Sequence, residues 1–462
     1  MTLIKSISGI RGTIGGLAGT ALTPVDIVKF ASAYGQWIKN NNQGKKIVIT
    51  IGRDARISGE MVDRLVTGAL TGLGIDVINL GYAATPTVEI AVTETGSEGG
   101  IILTASHNPK QWNALKLLNE KGEFLSASEG EEILTLAETS DISYAPVQEL
   151  GNVTERHDFN ETHIRKILDL PLVDKNAISR AQFRIAIDCV NSVGGIIIPK
   201  LLNKLGVKEI IKLYCTPNGE FPHNPEPLPE HLGEISRTII ERKAHLGFVV
   251  DPDVDRLAIV NEDGSMFGEE YTLVSVADYV LQNTPGNTVS NLSSTKALRE
   301  ITDKYNCGYS AAAVGEVNVV NRMKETSAVI GGEGNGGIIY PLLHYGRDAL
   351  VGIALFLTYL AKSGLKCSEL RSKYPRYVIS KNRIELTPDT DVDNILASIN
   401  STFKDFPVNT EDGVKIDFPD GWIHLRKSNT EPIIRIYSEG ENEQKVAELV
   451  HKIIEKINIS NQ

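Results

Sequence analysis

Cysteine is scarce. Cys189, Cys215, Cys307 and Cys367 are the four in a chain of 462 residues, and no two of them form a C-x-x-C pair. That argues against the common zinc sites and dithiol redox motifs, and it fits a reducing compartment. Positive charge is also in short supply. With 47 Lys and Arg against 58 Asp and Glu, the formal net charge is −11, which repels nucleic acid and anionic membrane alike. Long hydrophobic runs are missing, and nothing approaches the ~20 apolar residues that a membrane span needs. The opening stretch MTLIKSISGIRG lacks the apolar h-region of a signal peptide. The expectation is a cytoplasmic protein without a nucleic-acid or membrane partner. The same acidity would repel a phosphorylated small molecule at long range, so any phosphate site has to be a local cluster of cations.

The remaining composition, 41% hydrophobic and 23% charged, is ordinary globular material, and the length implies several domains of ~100–200 residues. Three segments repeat one plan: an apolar strand, a helix-like stretch, then a strand that runs through a polar loop into another apolar run. The opening strands are KIVITIGRD (46–54), RIAIDCVN (184–191) and the weaker TVSNLSS (288–294). The closing pieces are IILTASHNP (101–109), LGFVVDPDVDRLAIV (246–260) and SAVIGGEGNGGIIYP (327–341). Alternating strands and helices predict α/β layers with mostly parallel sheets, where ligands collect at loops beyond the strand ends. After about residue 371, RYVISKNRIEL, GVKIDFPDGWIHLRKS and IIRIYSEG read as strands joined by turns, and VAELVHKIIEKI as a closing amphipathic helix. The expected domains are 1–155, 156–262 and 263–371, all α/β, and a smaller α+β domain at 372–462.

Four loops carry residues suited to chemistry. In TASHNPKQWNALK (104–116), Ser106 follows an apolar strand and precedes Pro109, which would present its hydroxyl at a strand end. An ordinary Ser/Asn/Pro turn reads the same residues equally well. Ser106 and His107 are neighbours in sequence whose side chains need not face each other, and no G-x-S-x-G elbow is present. In DPDVDR (251–256), Asp251, Asp253 and Asp255 alternate beside Pro252, and a bend would gather three hard oxygen ligands suited to Mg²⁺. An EF-hand is excluded because Arg256 stands where that loop needs glycine. A solvated acidic turn is the plainer alternative, but unpaired carboxylates between two apolar runs would be costly. GGEGNGG (331–337) matches G-x-G-x-x-G formally, yet no helix follows, so a dinucleotide site is disfavoured. Glu333 and Asn335 offer an acceptor and an amide to hydroxyl groups, and a glycine-rich turn is the alternative. In RKSNTEPIIR (426–435), Arg426, Ser428, Asn429, Thr430 and Arg435 supply donors suited to a phosphate dianion, against a solvated basic turn.

Together these loops describe phosphoryl transfer on a sugar, and with SGIRG (8–12) the sequence resembles the α-D-phosphohexomutase family over nearly its whole length. The resemblance implies four domains around a central cleft. It makes Ser106 a phosphoserine and Asp251, Asp253 and Asp255 the holders of one Mg²⁺ per chain, with a phosphoserine oxygen from Ser106 as a further ligand. Arg256 would contact phosphate, Glu333 would read sugar hydroxyls with Asn335 beside it, and the 426–435 loop would grip the phosphate that is not reacting. Arg11 becomes an active-site cation and Lys116 a general acid/base, with His107 beside the nucleophile. A hexose 1,6-bisphosphate is the implied intermediate and activator, and a hexose monophosphate the partner; no motif specifies a subunit number. Many bacterial members have serine at Asn335 and histidine at Gly337, so no histidine role carries over. GEGNGG, GEVNV (315–319) and NALK (113–116) look more like the archaeal-type phosphoglucosamine mutase branch, making glucosamine phosphate the expected substrate and glucose or mannose phosphate the alternative. A phosphatase using the same phosphoserine, or a non-catalytic sugar-phosphate sensor, are rival classes.

Overall fold

A computed structural model describes residues 2–6, 9–139, 142–385, 391–427 and 433–460. Its first sheet contains β1 (Ile4–Ser6), β2 (Gly9–Thr13), β3 (Val48–Arg53), β4 (Asp76–Tyr82), β5 (Gly99–Leu103), β6 (Trp112–Leu118) and β7 (Val153–Glu155), in the order β1-β2-β6-β5-β3-β4-β7. The second has β8 (Arg184–Asp188), β9 (Glu209–Leu213), β10 (Leu246–Val250) and β11 (Leu257–Asn261), in the order β11-β10-β8-β9. The third has β12 (Thr288–Asn291), β13 (Tyr309–Ala312), β14 (Ile330–Glu333) and β15 (Gly337–Ile339), in the order β13-β12-β14-β15. The fourth, β16 (Val378–Glu385), β17 (Val408–Asn409), β18 (Val414–Phe418), β19 (Gly421–Lys427) and β20 (Ile433–Gly440), is antiparallel throughout. The architecture is three related α/β domains with mixed sheets and a distinct C-terminal α+β domain, as the sequence pattern predicts.

The repeat has a simple physical basis. In each α/β domain a buried parallel strand turns back on itself and the chain returns antiparallel: β5 to β6, β10 to β11, β14 to β15. Strands β5 and β10 are buried at every position, which is why they read as continuous apolar runs rather than alternating ones. The polar segment in each closing piece is the turn of this hairpin, so the three turns occupy the same place in three copies of one unit.

The apolar core of the second unit is continuous with that of the third, whereas the first and fourth have cores of their own. The helix Ala349–Ser363 (ALVGIALFLTYLAKS) explains the fusion. It is buried from Ala349 through Leu360, and a helix apolar all round belongs inside a core. Asp348 caps it, accepting from the backbone N–H of Leu350 and Val351 at 2.7 and 3.2 Å. The other oxygen of Asp348 meets Nε2 of His163 at 2.8 Å, and Nδ1 of His163 in turn lies 2.9 Å from Oγ1 of Thr87. This chain of contacts ties the start of the helix to the first domain. Among the described residues no helix is long and apolar enough to cross a membrane. Among the elements that the sequence reading did not name are the short edge strand β7 and the helix Val392–Thr402 in the fourth domain.

Candidate active site

The Ser106 turn is held from below. Ser106 has φ 47°, a left-handed conformation uncommon outside glycine that costs about 1–3 kcal/mol unless its surroundings enforce it. The enforcing residue is Arg56. Its side chain is fully buried, and its guanidinium donates to the carbonyls of Ser106, Asn108 (2.7 Å), Pro109 (2.8 Å) and Trp112 (3.0 Å), with Nε on Asp54 at 3.0 Å. Asp54 also accepts from Thr104 Oγ1 at 2.6 Å, and the Ser106 N–H donates to that hydroxyl at 3.0 Å. Burial pushes the Asp54 carboxyl up, with the Arg56 charge opposing. Arg56 belongs to no motif and lies just beyond the strand KIVITIGRD. Arg56→Met should therefore destabilise the fold by ~3–5 kcal/mol, the cost of leaving a buried ion uncompensated, read as a lower midpoint in urea unfolding.

Ser106 Oγ donates to Asp251 Oδ2 at 2.7 Å, and His107 Nδ1 lies 3.3 Å from the same hydroxyl. Burial, then the neighbouring Arg256 cation, hold the His107 imidazole well below its usual range, so it is neutral at pH 7. The three aspartates converge, with ligand oxygens all within 4.8 Å of one another and all three residues buried. They reach one point because Val254 turns left-handed at φ 63°, which bends the segment instead of leaving it a straight strand.

Asp251 is held through both oxygens, Asp253 and Asp255 through one each. Asp251 Oδ1 accepts from the N–H of Asp255 and Arg256 at 3.2 and 3.1 Å. Asp253 Oδ2 accepts from Thr85 Oγ1 at 2.6 Å and Lys116 Nζ at 2.8 Å. Asp255 Oδ2 accepts from Arg347 Nη2 at 2.7 Å. Oδ1 of Asp253 and Oδ1 of Asp255 are buried without a hydrogen-bond partner, the condition a hard divalent cation would relieve. Burial and the repulsion of Asp255 and Asp253 push the Asp251 carboxyl well up, whereas Lys116 overcomes burial to hold Asp253 down. Burial works against the Lys116 ammonium, but Asp253 and Asp255 raise it above its ordinary range, so it holds its proton in this arrangement.

The sugar-loop candidate packs directly on this site, with the Leu257 N–H donating to Gly336 O at 3.1 Å. Gly336 needs its glycine: φ is +83° and a Cβ would stand 2.3 Å from the Leu257 carbonyl oxygen. Glu333 Oε1 accepts from Asn291 Nδ2 at 2.8 Å and Gly315 N at 3.2 Å, and Oε2 from Arg347 Nη1 at 3.0 Å. Burial raises the Glu333 carboxyl, but the Arg347 charge and these bonds bring it below its usual value. Asn335 uses Oδ1 to close its own turn on the Gly337 N–H at 3.2 Å.

In the fourth domain Arg426 on β19 and Arg435 on β20 are directly opposite each other, and Arg383 on β16 opposes Arg435 from the other side. Like charges in register repel, and the Asp412 carboxylate lies 3.8 Å from Arg426. Arg11 on β2 is depressed by burial and then by the Arg435 charge, so a cation of the fourth domain is felt at the first. Arg256 Nη1 donates to Glu226 at 3.1 Å. The Nε groups of Arg11, Arg256 and Arg426 are buried without a partner. Ser428, Asn429 and Thr430 lie outside the described residues. Thr85 and Arg347 had no sequence signal, and Glu316 stood only within the GEVNV segment with no role assigned.

All four parts of one family description match in order: phosphoglucomutase/phosphomannomutase alpha/beta/alpha domain I over residues 3–143, domain II over 161–264, domain III over 268–377 and the C-terminal domain over 384–456. Four domains of this kind around a buried aspartate triad define a phosphohexomutase, an isomerase. Within that class the chain belongs to the phosphoglucomutase/phosphomannomutase family. A phosphoglucomutase/phosphomannomutase from Thermococcus kodakarensis is 34% identical over 442 residues, covering 95% of this chain and 96% of that protein. A probable phosphoglucosamine mutase from Methanopyrus kandleri is 30% identical over 452 residues, covering 97% and 96%. A crystal structure of a phosphoglucomutase/phosphomannomutase family protein from Burkholderia thailandensis shares the fold, with a TM-score of 0.85, 23% identity and coverage of 99% and 98%. The lean toward the glucosamine branch is not decided by these relatives: both names occur at similar identity, and of these two the higher identity is to the phosphoglucomutase/phosphomannomutase.

Proposed function

We propose that the protein interconverts hexose 6-phosphate and hexose 1-phosphate through phospho-Ser106 and a hexose 1,6-bisphosphate, with glucose and mannose phosphates as its substrates. The observation that carries this reading is the Ser106 hydroxyl 2.7 Å from a carboxylate of the buried aspartate triad. Ser106 passes its phosphoryl group to the free hydroxyl of the bound monophosphate; the bisphosphate reorients and returns its other phosphate to Ser106. Lys116 supplies or removes the hydroxyl proton. Asp251, Asp253 and Asp255 hold Mg²⁺, which when bound offsets charge on the transferring group. Arg11, Arg426 and Arg435, with the 428–430 segment, grip the phosphate that is not reacting, and Arg256 steadies the one that is. Glu333 accepts from ring hydroxyls in both poses, with Asn335 shaping the loop.

The name of the Thermococcus relative supports glucose and mannose as substrates. A second reading, glucosamine phosphate, draws on the GEGNGG loop and the Methanopyrus relative. The test is kcat/KM for glucose, mannose and glucosamine phosphates under one set of conditions, each primed with its own bisphosphate. A group unable to pair with the wrong C2 substituent costs ~1–3 kcal/mol, roughly ten- to hundredfold in rate. Glucose or mannose phosphate should lead glucosamine phosphate by about tenfold or more on this basis. The reverse order would establish the glucosamine reading, and phosphate release without isomerised sugar would make the protein a phosphatase.

A further inference from the structure

Arg347 belongs to none of the four loops singled out by sequence, yet it joins two of them. It is 9% exposed, and each of its three guanidinium nitrogens donates to a different carboxylate. Nη2 reaches Asp255 Oδ2 at 2.7 Å, Nη1 reaches Glu333 Oε2 at 3.0 Å, and Nε reaches Glu316 Oε2 at 2.9 Å. Its backbone N–H donates to the other oxygen of Glu316 at 3.0 Å. A planar fork with fixed donor directions fixes the planes of its partners as well. One arm therefore aims Asp255, whose Oδ1 is left without a partner, and another aims Glu333.

Gly337 is an independent second observation. It pairs with Glu333 across the β14–β15 hairpin, and a Cβ on it would stand 2.4 Å from Arg347 Cδ and 3.0 Å from Cγ. The arginine stem thus crosses the hairpin where only a hydrogen fits. Gly337 is outside the left-handed region, so the lack of a side chain there answers to Arg347 and not to backbone conformation.

We propose that Arg347 is a positioning residue that links the aspartate triad to the sugar-reading glutamate, and that Gly337 is the vacancy that admits it. Removing the fork frees Asp255 to rotate and leaves Glu333 beside uncompensated carboxylates, so cation affinity and sugar affinity fall together. A strut that served only the fold would lower stability and leave both affinities alone. Partners of metal-ligating carboxylates are worth roughly 10–100-fold in metal affinity or activity.

The proposal rests on the mutase reading above, and the experiment separates the two. Mn²⁺ affinity is measured by calorimetry, and KM and kcat for the preferred hexose phosphate are measured alongside, in wild type, Arg347→Met, Gly337→Ala and the double variant. Arg347→Met should weaken Mn²⁺ binding and raise KM by about tenfold or more. Gly337→Ala should move both in the same direction, and the double variant should be no worse than Arg347→Met alone, since the two changes remove one interaction. A folded Arg347→Met with wild-type Mn²⁺ affinity and KM overturns the proposal, as do additive losses at the two positions. If Arg347→Met does not fold, Gly337→Ala decides alone: a raised Mn²⁺ dissociation constant supports the link and an unchanged one overturns it. A wild-type protein that binds Mn²⁺ but isomerises no hexose phosphate would instead sink the mutase reading.

Discussion

Ser106→Ala should reduce turnover of hexose phosphates by about four to six orders of magnitude, the scale of losing a nucleophile that acts as part of a unit. The hydroxyl is the one group of the turn directed at the triad, at 2.7 Å from Asp251 Oδ2, and alanine offers nothing to carry a phosphoryl group. Alanine also inherits the left-handed backbone at φ 47°, so part of the loss could be ascribed to a shifted turn. Ser106→Gly resolves this, because glycine adopts that conformation without strain. Both variants should be equally inactive if the hydroxyl is the nucleophile. Peptide mass spectrometry should place phosphate on Ser106 in the wild type. Added hexose 1,6-bisphosphate should rescue neither variant, since it re-phosphorylates a serine but cannot replace one. Near wild-type turnover in Ser106→Gly would remove Ser106 from the mechanism.

The legible part of the molecule was the part with a local signature. Strands β5 and β10 are buried on both faces and so read as uninterrupted apolar runs, and the polar turns that follow them stood out by contrast. Asp251, Asp253 and Asp255 lie four residues apart at most, so their convergence needed only a bend, and Val254 supplies it. What the sequence hid were the partners brought in from afar. Arg56 lies 50 residues from the Ser106 carbonyl it clamps, Thr85 is 168 residues from Asp253, and Arg347 is 92 residues from Asp255. A single buried arginine has no periodicity and no motif; only its neighbours in space reveal its role. The choice of sugar stays undecided for a related reason: the lean toward glucosamine rests on the short GEGNGG, GEVNV and NALK segments, and none of them names the group that would face C2 of the sugar. The helix Val392–Thr402 was missed because its apolar positions, buried at Val392, Ile395 and Ile399, form a short stripe between two stretches read as strands.

Stripping divalent cations should abolish turnover, Mg²⁺ should restore it, and Asp253→Asn should cost about 3 kcal/mol or more of transition-state stabilisation, by analogy with losing one strong electrostatic contact. The arrangement of the carboxylates shows why. Three buried carboxylates stand within 4.8 Å of one another, and among the described residues two cationic side chains, Lys116 and Arg347, pair with them. Burial and mutual repulsion leave Asp251 well above the ordinary carboxylate range, meaning that it resists ionising until a further positive charge arrives. The partnerless Oδ1 atoms of Asp253 and Asp255 receive that charge without breaking a bond already made. A phosphoryl group on Ser106 adds negative charge at the same point, so the phosphorylated protein should hold the cation more tightly than the dephosphorylated one. A second readout does not depend on activity. A cation that binds only the folded state stabilises it by RT ln(1 + [L]/Kd), about 2.7 kcal/mol at a hundredfold excess over Kd, so the melting temperature should climb with Mg²⁺ in the wild type. In Asp253→Asn the climb should shrink or vanish, because the amide keeps the Thr85 contact but forfeits the ligand charge and the Lys116 ion pair. Full turnover after exhaustive chelation, together with a melting temperature indifferent to Mg²⁺, would mean that Lys116 and Arg347 alone neutralise the triad.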